Sequence, residues 1–305
     1  MTAGFLAYGT QALDTIASSA HDLISSGSRI ERPDWIKGLE PPFPRWRSWS
    51  TAFEDVLRSR LFGDKRLADM GRRKLDMVLN AAELRTGAAF RFGSNCSASW
   101  RQGRIKNNDV RVATAVGASA AYPAFLSALH RTFSLVNQDG KTNRHHLVLT
   151  DGGVFDNLGV SCLEPGRSER YSYHVYDVDH LFCCSAGHGQ WSGGQYPYGW
   201  KQRLQRAFGL LFKKQQDGAV SRLFSYRRRG NFDSFVFPYL GQKDERLIDQ
   251  LGEEALPENF VEREQVARYP TDFRAMPEVD IRRITRRGEQ LTRLLLEAYG
   301  PTSQT

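Results

Sequence analysis

Two periods of hydrophobic and polar positions run along this chain. Asp76-Met-Val-Leu-Asn-Ala-Ala82 is a short, nearly continuous apolar run, Glu83-Leu-Arg-Thr-Gly87 carries turn residues, and Ala88-Ala-Phe-Arg-Phe92 is apolar again. Short apolar runs bounded by turn signals predict strand, turn and strand. His146-Leu-Val-Leu-Thr150 reads as a further strand that runs straight into Asp151-Gly-Gly153, and Tyr173-His-Val-Tyr176 and Leu181-Phe-Cys-Cys184 as one or two more. Residues 109–130 follow a helical pattern rich in Ala and Val, interrupted at Pro123, which lacks the N–H that a helix interior uses. Phe232, Ser234, Val236 and Pro238 alternate with Asp233, Phe235, Phe237 and Tyr239, as in an edge strand that ends at proline.

The 3.6-residue period is clearest near the end. Ile281, Ile284, Gly288, Leu291, Leu295 and Ala298 recur at steps of three and four, and Gly300-Pro301 stops the helix. Lys201 to Phe224 reads as a basic amphipathic helix, or a helix pair broken near Asp217-Gly218, after a Gly/Trp/Tyr-rich loop from Gly189 to Trp200. Pro33 to Trp49 is too rich in Pro and Trp for a regular helix or central strand and reads as a surface excursion. At the front, Ala3, Gly4 and Ala7 suit a closely packed small-residue helix, and no basic region or cleavage site of a signal peptide accompanies them. Strands alternating with helices predict an α/β layered fold with a largely parallel sheet. The change of composition after Gly187 divides the chain into a domain over 1–188 and an extension over 189–305.

Composition narrows the class. The chain has 305 residues with 40% hydrophobic and 25% charged, which excludes a disordered tail, a collagen-like repeat and a disulfide-rich mini-protein. No apolar run approaches the roughly 20 residues of a membrane span. Cys96, Cys162, Cys183 and Cys184 form no CxxC pair, which suggests reduced thiols and a cytoplasmic setting. Adjacent Cys183 and Cys184 should point to opposite faces of a strand. Asp177, Asp179 and His180 spell D-x-D-H, but no third ligand accompanies them, so solvated acids at a strand end are expected and no metal or cofactor.

Chemistry concentrates in Leu147-Val-Leu-Thr-Asp-Gly-Gly-Val-Phe-Asp-Asn-Leu-Gly159. An apolar strand delivers Asp151 at its carboxyl end, where open α/β sheets place their ligand sites. Gly152 and Gly153 remove Cβ bulk beside it, and Asp156, Asn157 and Gly159 add turn chemistry. A carboxylate held this way orients or deprotonates a nucleophile, binds a metal, or simply caps a turn.

The stretch from Asp151 to Gly159 resembles the D-G-G/D-G-A motif of patatin-like phospholipases, lipid acyl hydrolases with a Ser–Asp dyad. Asn80-Ala-Ala-Glu-Leu-Arg-Thr-Gly87 with Ala89-Phe-Arg-Phe92 resembles that family's N-A-T-x-L-x-T-G block, and Ala115-Val-Gly-Ala-Ser-Ala-Ala-Tyr-Pro123 its A-x-x-A-S-x-A-x-P helix. Thr271-Asp-Phe273 and the last helix resemble its closing segment, so the likeness runs from about residue 75 onward. It implies a three-layer α/β/α fold with a central, mostly parallel sheet. It also implies that Asp151 takes the proton of a serine directly, with Gly152, Gly153, Asn157 and Gly159 supporting the motif.

One departure from the family pattern matters. The Gly-rich oxyanion loop and the G-x-S-x-G nucleophile elbow are both missing, and Thr2-Ala-Gly-Phe-Leu-Ala7 resembles the helix that follows such an elbow. The resemblance therefore implies a chain that starts just after its own nucleophile, encoded upstream of Met1 or lost. Gly117-Ala-Ser119-Ala-Ala121 nearly spells the elbow, but no strand precedes it, and Ser119 reads as a helix-packing residue. A sheet without its first strands would carry an unpaired edge and an uncovered apolar face, predicting poor solubility.

The formal net charge is +8. Lys201, Arg203, Arg206, Lys213 and Lys214 flank Leu204, Phe208, Leu210, Leu211 and Phe212, a pattern that suits either an anionic membrane surface or a solvated helix face. No nucleic-acid motif accompanies the charge. Two functions compete on this reading: a lipid acyl hydrolase, and a lipid- or membrane-binding protein that keeps the scaffold without turnover.

Overall fold

Four of the five links between the strands of the main sheet are short, and they shape it. A computed structural model describes residues 49–71, 75–123, 126–187, 189, 198–267, 269–270 and 275–301. Strand β1 (Val78–Glu83) returns through Leu84 to Gly87 into β2 (Ala88–Gly93), and β3 (Ser97–Ser99) and β4 (Gly103–Ile105) follow as another tight pair. The turn after β1 is organised by Glu83, fully buried, whose carboxylate accepts the Thr86 N–H at 2.8 Å, the Thr86 hydroxyl at 2.7 Å and the Val148 N–H at 3.2 Å. Strands β5 (Leu129–Val136) and β6 (Thr142–Asp151) meet over a turn in which Gly140 takes φ +78 and the Asn137 side chain accepts the Lys141 N–H. Asp-Gly turns of this kind suit antiparallel hairpins.

The expected three-layer α/β/α fold with a mostly parallel sheet is therefore not what forms. β1 to β6 pair antiparallel throughout and close into a six-stranded barrel, with Ala81 opposite Asp151 where β1 meets β6. Parallel neighbours need a crossover of about a dozen residues or more, and four of the five links are too short to make one, while the longer β4–β5 connection over residues 106–128 still returns antiparallel. Closure also removes the unpaired edge expected of the sheet, because β1 and β6 pair with each other. Core-facing residues come at alternate positions: Phe90 and Phe92, Leu129 and Leu135, Leu147 and Leu149 are all buried.

Helix α1 (Trp49–Val56) and helix α2 (Val112–Ser119) contribute Phe53, Val56, Val112, Ala113, Ala115 and Ala118 to the same core. Between them lies a buried polar contact. Glu54 of α1 accepts the Thr114 hydroxyl of α2 at 2.5 Å and pairs with Arg131 of β5. The α2 helix is much shorter than the 109–130 pattern suggested, since the chain leaves it after Ser119 and has entered β5 by Leu129. Tyr173 to Tyr176 forms no strand.

Contacts divide the chain into two compact units. The first takes in the described residues up to Gly159 together with Arg167–Val175; the second comprises Val160–Gly166 and nearly all described residues from Tyr176 onward. In the second, β7 (His180–Phe182) and β8 (Ser234–Val236) pair in parallel. The connection between them contains α4 (Trp200–Arg228), long enough for that crossover, which follows a one-turn α3 (Gly153–Asp156) of the first unit in chain order. Helix α4 runs unbroken through Asp217-Gly218, so it is one helix and not a pair. Helices α5 (Asp244–Leu251) and α6 (Glu278–Tyr299) complete the unit, whose core joins Val236, Leu247, Leu291 and Leu295.

Buried Arg287 of α6 ties that unit together. Its guanidinium donates to the carbonyls of Leu240, Val261 and Gln242 at 3.0, 2.6 and 2.7 Å and to the Asp244 carboxylate at 2.9 Å. Four acceptors around one planar fork satisfy a charge that would otherwise not be tolerated in an interior. The front helix at Thr2–Ala7, the Pro33 to Trp49 excursion before Trp49, most of the Gly189 to Trp200 loop and Thr271-Asp-Phe273 lie outside the described residues.

Candidate active site

Asp151 is the last residue of β6, and the period of the strand fixes where its side chain goes. Leu147, Leu149 and Asp151 stand at i, i+2 and i+4, so the carboxylate continues an apolar row on the core side. Burial pushes its pKa above the usual carboxylate value, an effect that the Gly153 N–H, donating to Oδ1 at 2.7 Å, partly offsets. On the other side of the strand, the Thr150 hydroxyl donates to the Ala121 carbonyl at 2.8 Å. The Asp151 N–H reaches the same carbonyl at 3.0 Å, and the Gly152 N–H reaches that of Ser119 at 3.3 Å. The end of α2 thus clamps the end of β6.

The glycines of the motif have separate physical reasons. A Cβ on Gly152 would fall 2.2 Å from the Asn80 carbonyl oxygen, so β1 passes too close for any side chain. Gly159 takes φ +71, which L-residues rarely adopt, while a Cβ there would meet only the Asn80 side-chain nitrogen at 3.4 Å. Gly153 supplies the N–H that holds Asp151. Asp156 is buried and accepts the Gly159 N–H at 3.0 Å, closing the one-turn α3, and Asn157 lies exposed at its end. All five predicted positions therefore fall in one strand-to-turn unit, with Asp151 as its half-buried charge.

Two further residues belong to this region and were not singled out from sequence as site residues. Asn80 packs between Gly152 and Gly159, and its side-chain oxygen is buried with no hydrogen-bond partner among the described residues. Tyr122 follows Ala121, whose carbonyl accepts the Asp151 N–H, and its hydroxyl is pushed up first by burial and then by the negative charge of Asp151. Both occur in the blocks that carried the resemblance, but neither spacing nor period marks them. Ser119 is brought to the motif through its carbonyl. Among the described residues, no serine, threonine or cysteine side chain makes a hydrogen bond to the Asp151 carboxylate.

The other candidates are elsewhere. His180 shares a hydrogen bond with the Ser234 hydroxyl at 3.1 Å, and the Asp179 carbonyl accepts the Asp233 N–H at 2.7 Å, so D-x-D-H forms the junction of β7 and β8. Among the described residues, no three or more of His, Cys, Asp and Glu gather as a metal site would require. Cys183 is buried and Cys184 exposed, on opposite faces. His174 is buried with Nε2 2.8 Å from the Cys96 carbonyl, and burial lowers its pKa. Among the described residues no helix is long and apolar enough to cross a membrane. Compared with known proteins, the chain matches no family model and no curated protein sequence.

Proposed function

We propose that the Asp151 site is the acid–base half of a lipid acyl hydrolase of the patatin-like kind, with Asp151 taking the proton of a serine nucleophile. The observation that carries this reading is the half-buried carboxylate at the end of β6, oriented by the Gly153 N–H and made more basic by burial. A base of raised pKa accepts a hydroxyl proton near neutral pH more readily than an ordinary carboxylate. The serine oxygen then attacks the ester carbonyl, the alcohol leaves, and water releases the fatty acid from the acyl-serine. Asn80 packs against the same motif and offers a carboxamide oxygen.

A second reading follows from a specific observation. No hydroxyl or thiol is hydrogen-bonded to Asp151 among the described residues, which favours a protein that binds lipid on this scaffold without turnover. Release of fatty acid from phospholipid, and of p-nitrophenol from its esters, separates the two. The first reading expects Asp151→Asn to slow release by about 10²–10⁴-fold and Ser119→Ala to leave it unchanged. Release that survives Asp151→Asn overturns the role of Asp151. Absence of release by the intact chain, with lipid still bound, leaves the second reading. Loss of activity in Ser119→Ala would make that serine the nucleophile.

A further inference from the structure

Helix α4 has two halves of different character. Toward its C-terminal end it is anchored: Ala219 and Leu223 are buried, Phe224 packs edge-on against Phe235 of β8 at 4.9 Å, and Arg222 pairs with Glu164 at 2.9 Å. Gln216 donates to the Ser185 hydroxyl at 3.1 Å. Toward the N-terminal end Phe208 packs edge-on against Phe212 at 4.9 Å within the helix, and the apolar side chains are largely exposed. Trp200, Leu204 and Leu211 are 74%, 62% and 68% exposed, and Phe208 is also exposed. These four recur at steps of four, four and three, so they form one continuous stripe along about 16 Å of helix. Tyr198, just ahead of the helix, is exposed as well.

The charges around that stripe say what covers it. Between Trp200 and Arg228 the helix carries eight Lys and Arg against the single acid Asp217, a net of +7 in a chain whose total is +8. Five of the eight, Lys201, Arg203, Arg206, Lys213 and Lys214, fall in the same half as the stripe. A second copy of so basic a helix would be repelled, and an apolar groove in a partner protein would leave the cations unmatched. An anionic lipid surface satisfies both parts: aliphatic stems and aromatic bodies enter the headgroup boundary while the charged ends stay with the phosphates.

We infer that the N-terminal half of α4 is an interfacial helix that lays Trp200, Leu204, Phe208 and Leu211 into an anionic bilayer surface. The helix lies in the plane of the interface and does not cross it, in keeping with its low apolar content. The contact is independent of the Asp151 chemistry, so its failure and the failure of the hydrolase reading are separate results.

Co-sedimentation of the full chain with vesicles tests it. The protein pellets with phosphatidylcholine vesicles containing phosphatidylserine, pellets far less with phosphatidylcholine alone, and is released by salt. Replacing Leu204 and Leu211 together by Gln weakens binding by ten-fold or more, on the order expected for two partly buried leucines. Arg203→Gln with Lys214→Gln weakens it by about five-fold per cation. All four side chains are exposed or outward on the helix, so far-UV circular dichroism should match the parent, and Asp151→Asn should bind as the parent does. Equal binding to both vesicle types, or undiminished binding by the leucine variant, overturns the inference. So does a dimer in sedimentation velocity that the leucine variant dissociates while vesicle binding persists.

Discussion

Asp151 is a charge placed where an apolar residue would fit the row begun by Leu147 and Leu149. Its folded-state pKa lies above its unfolded value, with burial as the main cause. The sign follows directly: the group favours folding only while protonated, and that contribution is lost as pH rises through the raised pKa. Asp151→Asn keeps an acceptor for the Gly153 N–H and removes the half-buried charge. It should therefore melt at a higher temperature than the parent at neutral pH, with the gap closing in acid. A scan of melting temperature against pH checks this, and an Asn variant that melts lower at neutral pH would show that burial is not what the carboxylate resists. If Asp151 is also the base, hydrolysis falls as the pH drops through that same raised value, and the variant gains stability as it loses rate.

At the scale of elements, the ends of β1, α2 and β6 are held together through backbone groups, and glycine sets how closely they meet. Gly152→Ala would push a Cβ to 2.2 Å from the Asn80 carbonyl, against backbone that cannot swing away. Overpacking of that kind costs about 1–3 kcal/mol. Gly159→Ala meets only a flexible side-chain nitrogen at 3.4 Å, so its cost is the left-handed φ, about 1–2 kcal/mol, less the entropy that alanine removes from the unfolded chain. Urea unfolding should rank Gly152→Ala as the more damaging, and the reverse order would mean that β1 can move away from the motif.

Strand β5 shows why some elements were not readable. Leu129, Arg131, Phe133 and Leu135 share the face that pairs with Leu149, Leu147, His145 and Asn143, and Arg131 breaks the apolar row. Its guanidinium is accommodated by Glu54, 77 residues away, a pairing that no local pattern announces. The first hairpin was legible because Thr86, Gly87 and Glu83 are turn chemistry within a few residues of one another. The alternation of strand and helix patterns and the family resemblance both pointed to a mostly parallel sheet, and the antiparallel barrel follows neither.

At the scale of the molecule, the two units are stabilised by different means: the barrel unit by its apolar core, and the second unit by a small core plus the Arg287 clamp. Arg287→Met leaves three carbonyls and the Asp244 carboxylate without their donor, a change of about 3–5 kcal/mol for a buried charge partner. Hydrogen exchange should show lost protection in α5, α6 and β8 while β1 to β6 keep theirs. Uniform loss across both units would mean that they unfold as one.

By itself the sequence determined the local elements with strong periods: β1 and β2 with their turn, the strand into Asp151, the basic helix and the closing helix. It also marked the candidate motif, because Asp151, the adjacent glycines and the turn residues lie within nine positions of one another. Only the tertiary structure decided the antiparallel closure of the barrel, the Arg131–Glu54 pairing, the approach of Asn80 and Tyr122 to the motif, and which half of α4 stays uncovered. Each of these depends on residues distant in sequence meeting in space, and hydrophobic period records which face a residue takes but not which residue it faces.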